Sequence, residues 1–264
     1  MKQTIAKATL LLSATVALFA SCSKNKSSDL IDTTVPQPLV IGISEKEDAD
    51  SWSKFSYDNK RRLTEIAYMP YKALYSYNGD KAELKLYKTG SAEPYGTYKG
   101  ELNTNGTLKS LTGSKKSGNG IYSSSYTCTY NDSNQLVQMI EEYKYDNGPL
   151  KIRKTDYTWQ NGNCIRITLW NEGKIQNERV FEYDLTKENK IQLNGRGFME
   201  WTDATLLGRT NKNIEKSVIW KNGDGSTNSE LVFNWTFDQH HFPVQCQIKN
   251  KLTGTFYTEA YQFQ

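Results

Sequence analysis

Six stretches of the chain share one pattern: an aromatic, a polar residue, a second aromatic, a polar turn, then a return run of aliphatic residues. They read FSYDNKRRLTEI, YSYNGDKAELKLY, YTCTYNDSNQLVQMI, YTWQNGNCIRITLW, FEYDLTKENKIQL and FNWTFDQHHFPVQCQI. The second aromatics are Tyr57, Tyr77, Tyr130, Trp159, Tyr183 and Phe237, at irregular intervals, so the unit is a degenerate hairpin repeat and not a strict solenoid. A strand puts alternate side chains on one face. In LVFNWTFD that places Leu231, Phe233, Trp235 and Phe237 together, with Asn234 and Thr236 opposite. Ile165, Ile167 and Leu169 share a face in the same way, against Arg166 and Thr168. Between the runs lie YNGD, QNGN and KNGDG, and Asn-Gly supplies the positive φ angles of a tight hairpin turn.

Such a chain is all-β, an antiparallel up-and-down meander. With strands of ordinary length and short turns, residues 52 to 264 accommodate about 12 to 16 strands. A flat sheet of that width is opposed by strand twist and leaves two bare edges, so the meander should curl into a barrel-like or open curved sheet. Helix is scarce. WTDATLLGR is the best helical candidate, with Thr202 or Asp203 as a cap and Gly208 as a stop.

The first 50 residues differ. Lys2 and Lys7 precede an apolar stretch from Ala8 to Ala20 that Ser13 and Thr15 interrupt, and small residues then lead to a cysteine. The run is short for a transmembrane helix, which needs about 20 apolar residues, and has the three parts of a secretory signal. Its ending, LFASC, resembles the lipobox of bacterial lipoproteins. That resemblance implies cleavage before Cys22, lipidation of its thiol and acylation of the new amine. Several acyl chains make a stable membrane anchor where one does not. Residues 1–21 are therefore expected to be a lipoprotein signal peptide, 22–51 a flexible lipid-anchored tether stiffened by Pro36 and Pro38, and 52–264 the β-meander domain.

Charge excludes one class of partner. The chain has 33 Lys+Arg against 29 Asp+Glu, and removing Lys2 and Lys7 leaves 31 against 29, a net +2. That is no footprint for nucleic acid. An integral outer-membrane barrel fits poorly too: the mean hydropathy is negative, outward positions carry Lys, Glu and Asn, and a lipid anchor would be redundant.

The lipobox, the YDNKRRLTEI and FDQHHFPVQCQI units, and LGRTNKNIEKSVIW together resemble the uncharacterised Bacteroidetes lipoproteins with a porin-like β fold. In that family a Gly followed by a Ser-Lys-Asn-Leu-Pro type segment precedes a strand. This chain keeps Gly208, Lys212 and Asn213, with Ile214 and Glu215 where Leu-Pro is usual. The likeness covers most of residues 52 to 264 and implies an outer membrane lipoprotein, on the cell surface or the periplasmic face. It brings no known activity.

Chemistry-bearing motifs are sparse. Cys128, Cys164 and Cys246 match no zinc spacing and permit at most one bridge; Cys128 and Cys246 alternate with apolar neighbours as small core residues do. The two histidines, His240 and His241, are adjacent in a turn beside Asp238 and point apart on a strand, and no GxSxG elbow accompanies them. NGDGSTNSE spaces oxygens at Asn222, Asp224, Ser226, Asn228 and Glu230 as a calcium loop does, but Thr227 stands where the sharp-turn glycine belongs. A hairpin turn accounts for it. Glu141 and Glu142 are neighbours and face opposite sides of a strand, so they make no glycosidase pair. No catalytic residue, metal ligand or cofactor is assigned.

What remains is a large supply of flat amphipathic rings, 17 Tyr and 6 Trp. Most sit in the repeat and are explained by packing. Trp201 and Trp220 stand outside the repeat register and are the candidate ligand platform. The sequence therefore points to a lipid-anchored envelope protein that binds a glycan or peptide without catalysis. The alternatives are a structural or partner-binding envelope protein, and a hydrolase with an unrecognised carboxylate pair.

Overall fold

Sixteen antiparallel strands follow one another around a closed ring. The structure, a computed structural model, describes residues 38–44, 52–191, 193 and 206–264. The strands are β1 (Val40–Ser44), β2 (Trp52–Tyr57), β3 (Leu63–Tyr68), β4 (Tyr71–Asn78), β5 (Lys81–Lys88) and β6 (Gly96–Leu102). They continue with β7 (Leu108–Ser117), β8 (Gly120–Tyr130), β9 (Leu136–Tyr145), β10 (Lys151–Gln160) and β11 (Asn163–Asn171). The ring is completed by β12 (Lys174–Glu188), β13 (Asn213–Asn222), β14 (Thr227–Phe237), β15 (Pro243–Asn250) and β16 (Phe256–Phe263). Each pairs with its neighbours in sequence, and β1 pairs with β16 to close the barrel. The meander is thus a full barrel with no free edge.

The expected domain boundary moves. Residues 40 to 44, assigned above to the tether, form β1, which pairs with both β2 and β16. Only five residues long and interrupted by Gly42, β1 carries too little alternation to stand out, and its partner lies at the far end of the chain. Cys22, the signal segment and Trp201 lie outside the described residues, as do Thr202 and Asp203. Of the expected helical stretch, Leu206 and Leu207 form a turn and Gly208 a bridge to Gln135.

Alternation sets inside and outside. Phe55, Ile66, Ala73 and Leu86 form one cross-strand row facing the core, as do Phe233 and Ile248. The opposite face carries ion pairs such as Lys81–Glu101 at 2.7 Å, Lys85–Glu83 at 3.1 Å and Lys154–Asp156 at 2.8 Å. An apolar interior within a charged wall is the reverse of a membrane-spanning barrel, whose outer band is apolar.

The two rims are built differently. At the near rim odd strands begin and even strands end, and polar turns recur with one chemistry. Asp58 Oδ1 accepts the backbone N–H groups of Lys60 and Arg62, Asn131 Oδ1 those of Ser133 and Gln135, and Asp238 Oδ1 those of His240 and Phe242. Each turn has one residue at positive φ: Arg61, Asn134 and His241. Of the expected Asn-Gly turns, Asn161-Gly162 has both residues at positive φ, whereas the turn after Asn78 centres on Gly79 and Asp80. At the far rim, NGDGS forms a wider loop closed by Asn222 and Ser226 with Gly225 at positive φ.

Beyond β12, the chain returns across the near rim. Leu206 and Leu207 are buried there, the Leu108 N–H donates to the Leu206 carbonyl, and that of Arg209 to Asn134. Asn163 and Asn213, both buried, exchange hydrogen bonds at 3.0 and 2.8 Å and tie the returning segment to β11. Gly208, Lys212 and Asn213 lay this segment down through their backbone and side-chain bonds.

Candidate functional site

The interior toward the far rim is lined by tyrosine, arginine and asparagine in place of leucine. On β9, Glu141 shares the inward parity of Met139 and Tyr143 and is buried, while Glu142 is exposed. Its Oε1 accepts the hydroxyls of Tyr122 at 2.6 Å and Tyr126 at 2.5 Å, and its Oε2 accepts Arg153 Nη1 at 2.9 Å. Burial and the Glu141 charge push both tyrosines well above their ordinary pKa, so they stay neutral donors. Burial works against the Arg153 charge, but Glu141 outweighs it and raises the guanidinium's pKa. The Arg153 guanidinium also lies 4.8 Å from the Tyr143 ring centre.

Three strands on, the balance is different. Arg179 on β12 pairs across the ladder with Ile167 on β11 and Trp220 on β13. Its guanidinium stacks over the Trp220 ring at 4.1 Å, a cation–π contact. No carboxylate meets it among the described residues, and burial lowers its pKa. On the same inner wall Trp220 Nε1, beside Arg179, is buried without a hydrogen-bond partner, as are Asn171 Oδ1, four residues along β11 from Ile167, and Arg153 Nε. Arg153 and Asn171 are register partners on β10 and β11. A buried donor or acceptor left unpaired costs about 1 to 3 kcal/mol. Arg179 thus offers unused cationic capacity beside the flat ring of Trp220, with Trp220 Nε1 and Asn171 Oδ1 as unused hydrogen-bonding atoms on the same wall, the composition of a site for an acidic, hydroxyl-rich ligand.

Trp220, expected as an exposed ring, stands on the inner wall, half-buried against the core and covered by Arg179. Trp201 lies outside the described residues. Arg179 was missed above although its signal is present: in RVFEY it shares the parity of Phe181 and Tyr183, a cation on an aromatic face.

Other candidates are spent on structure. In the loop after β13, Asp224 Oδ1 accepts both the N–H and the hydroxyl of Ser226, and Glu230 pairs with Lys251. Among the described residues no three His, Cys, Asp or Glu side chains gather as metal ligands. Cys128, Cys164 and Cys246 are buried and in no disulfide, and burial pushes the first two thiols up to about 11 and about 12, far from nucleophilic at neutral pH. A polar groove of ≈380 Å³ by Asn103 and Asn131 is held by side-chain amides bonding to the turn residues around them.

No family model matches the chain. Its fold is similar to the crystal structure of a porin-like protein from Bacteroides uniformis, with a TM-score of 0.62 and 12% identity over 86% of this chain and 97% of that one. A porin-like protein from Bacteroides vulgatus is equally similar, with a TM-score of 0.62, 13% identity and coverage of 86% and 99%. At such identity the likeness is one of fold, and it extends over almost the whole of both of those chains.

Proposed function

We propose that this protein is a non-enzymatic binding protein of a bacterial envelope, held to the membrane by lipid on Cys22, that takes an acidic glycan on the inner wall of its barrel. Arg179 carries the reading. A desolvated guanidinium laid on a tryptophan ring, with no carboxylate of its own among the described residues, is expensive to keep unless a ligand uses it. Sugar rings stack on aromatic faces, and a uronate or sulfate would supply the missing negative charge; Asn171 and Trp220 Nε1 would take hydroxyls. The fold shared with Bacteroides porin-like proteins and the lipobox-like LFASC segment support an envelope location.

Electrophoresis through gels containing acidic or neutral polysaccharides tests this. Retardation by an acidic polymer, lost in Arg179→Gln and weakened in Trp220→Phe, is the expected result. Free migration through every acidic polymer would overturn the glycan reading. The mass of the protein purified from membranes reports acylation of Cys22 independently.

A further inference from the structure

A second cation stands on the inner wall toward the far rim, at Lys115 on β7. It shares the inward parity of buried Leu111, and its ladder partners are Gly96 on β6 and Tyr122 on β8. Gly96 makes room for it, since a Cβ there would lie 2.7 Å from the Lys115 Cβ. Lys115 is half-buried, and its ammonium lies 5.7 Å from the centre of the Tyr122 ring, as the Arg179 guanidinium lies over Trp220. No carboxylate meets it among the described residues, whereas Lys81, Lys85 and Lys154 on the outer face are all paired. Inward acids are spent or placed elsewhere. Glu141 accepts Tyr122, Tyr126 and Arg153, Glu259 on β16 accepts the Tyr261 hydroxyl, and Glu215 is the register partner of Tyr183 in the near half of β13.

We infer that Lys115 is a second anion subsite on this wall, and that the ligand is an oligosaccharide with at least two acidic groups, one held at Lys115 and one at Arg179; this rests on the acidic-glycan site proposed above. The two cations differ in depth. Lys115 lies two residues from the far-rim end of β7 at Ser117, and Arg179 five residues from that of β12 at Lys174. From β7 to β12 is five ladder steps, about 24 Å along the wall at about 4.8 Å each, so a single sugar unit is too short to meet both. Arg153 and Asn171 stand between them on β10 and β11, with Nε and Oδ1 unused and the Arg153 charge balanced by Glu141. Solvent reaches this stretch: the Arg153 side chain is 34% exposed, and Tyr145, whose ring meets that of Tyr122, is 52% exposed. Once one acidic group is held, the second binds as an intramolecular event, which raises affinity without any new contact at Arg179.

Isothermal titration of the full protein with galacturonic acid and with its linear hexamer tests this. The hexamer should bind at least about tenfold more tightly per sugar unit than the monomer. Lys115→Gln should remove most of that gain and leave the monomer affinity within about twofold, while Arg179→Gln weakens both ligands. Lys116→Gln removes the same charge from the exposed outward neighbour and should change neither, and Lys115→Arg should keep the gain. Equal affinity per unit for monomer and hexamer, or equal losses at 115 and 116, overturns the second subsite and leaves the Arg179 site standing. A protein that binds neither ligand overturns both.

Discussion

The hydroxyl of Tyr130, at the end of β8, donates to the backbone carbonyl of Leu108, at the start of β7, at 2.8 Å. The same link recurs around the near rim. Tyr57 donates to Val40 at 2.7 Å, Tyr77 to Leu63 at 2.9 Å, Trp159 Nε1 to Leu136 at 2.7 Å, Tyr183 to Cys164 at 2.6 Å and Trp235 Nε1 to Glu215 at 2.7 Å. Five of these donors are the second aromatics of the sequence repeat. A polar-tipped ring is required there because its body fills the barrel end while its N–H or O–H satisfies a strand-start carbonyl. Phe237 lacks a donor, and Trp235 takes its place.

Tyr130→Phe keeps the ring and removes the link, as well as the longer bond to Leu206 at 3.2 Å. The expected loss is about 1 kcal/mol, seen as a lower urea midpoint at unchanged slope. Tyr77→Phe should cost a similar amount, because Leu63 loses its donor in the same way. An unchanged midpoint in both variants would show that the links are incidental to packing.

Gly208 has a φ of 84°, and a Cβ there would sit well inside contact of the Asn134 carbonyl oxygen and against the Tyr130 ring. Gly208→Ala should therefore cost at least about 2 kcal/mol, through backbone strain and displacement of the returning segment from the near rim. Thermal unfolding measures it, and Gly79→Ala is the control. Gly79 is also at positive φ, but nothing lies within 4 Å of its Cβ position, so its loss should be the smaller.

Local chemistry made the meander, its inward faces and the aromatic positions legible. Closure was not, because β1 meets β16 across almost the whole chain and VIGIS is too short to show a period. Turn identity was partly legible: Asn161-Gly162 needs only its own two residues, whereas the loop from Asn222 to Ser226 is set by Asp224 capping Ser226. The candidate site was half legible. Arg179 and Glu141 stand in the period-two pattern of their strands, but which of the two has a partner is decided on neighbouring strands.

Arg179 sets stability against binding. Replacing it with methionine keeps the stem that packs on Trp220 and removes a desolvated charge that no carboxylate among the described residues meets. Arg179→Met should raise stability by about 1 kcal/mol by urea unfolding while abolishing retardation by acidic polymers. A destabilised variant would mean that the guanidinium has a partner in the free protein and is no vacant ligand group.

The internal cysteines give a probe of the closed barrel. Cys128, Cys164 and Cys246 are buried and in no disulfide, with the first two thiols raised to about 11 and about 12. A disulfide-exchange reagent at mildly alkaline pH should leave all three untouched in the native protein and titrate all three in denaturant. A denatured count of one thiol without added reductant, restored to three by reductant, would reveal a bridge between two of them.

Asp58 makes the near rim acid-sensitive. Burial works against its carboxylate, but the Arg62 backbone N–H, the Arg62 guanidinium at 2.7 Å and the Lys60 N–H outweigh it and hold its pKa below the ordinary 3.8. A folded pKa lower than the unfolded one contributes stability above the unfolded value, and that contribution disappears as pH falls through the folded value. Asp58→Asn retains the Oδ1 acceptor, since Asn131 performs the same capping in the turn between β8 and β9. The variant should lose only the ionic part, about 0.5 kcal/mol at neutral pH. The gap between the urea midpoints of the two proteins should narrow progressively as pH falls below about 4. A gap that does not narrow at all as pH falls below about 4 would assign the loss to turn geometry and not to charge.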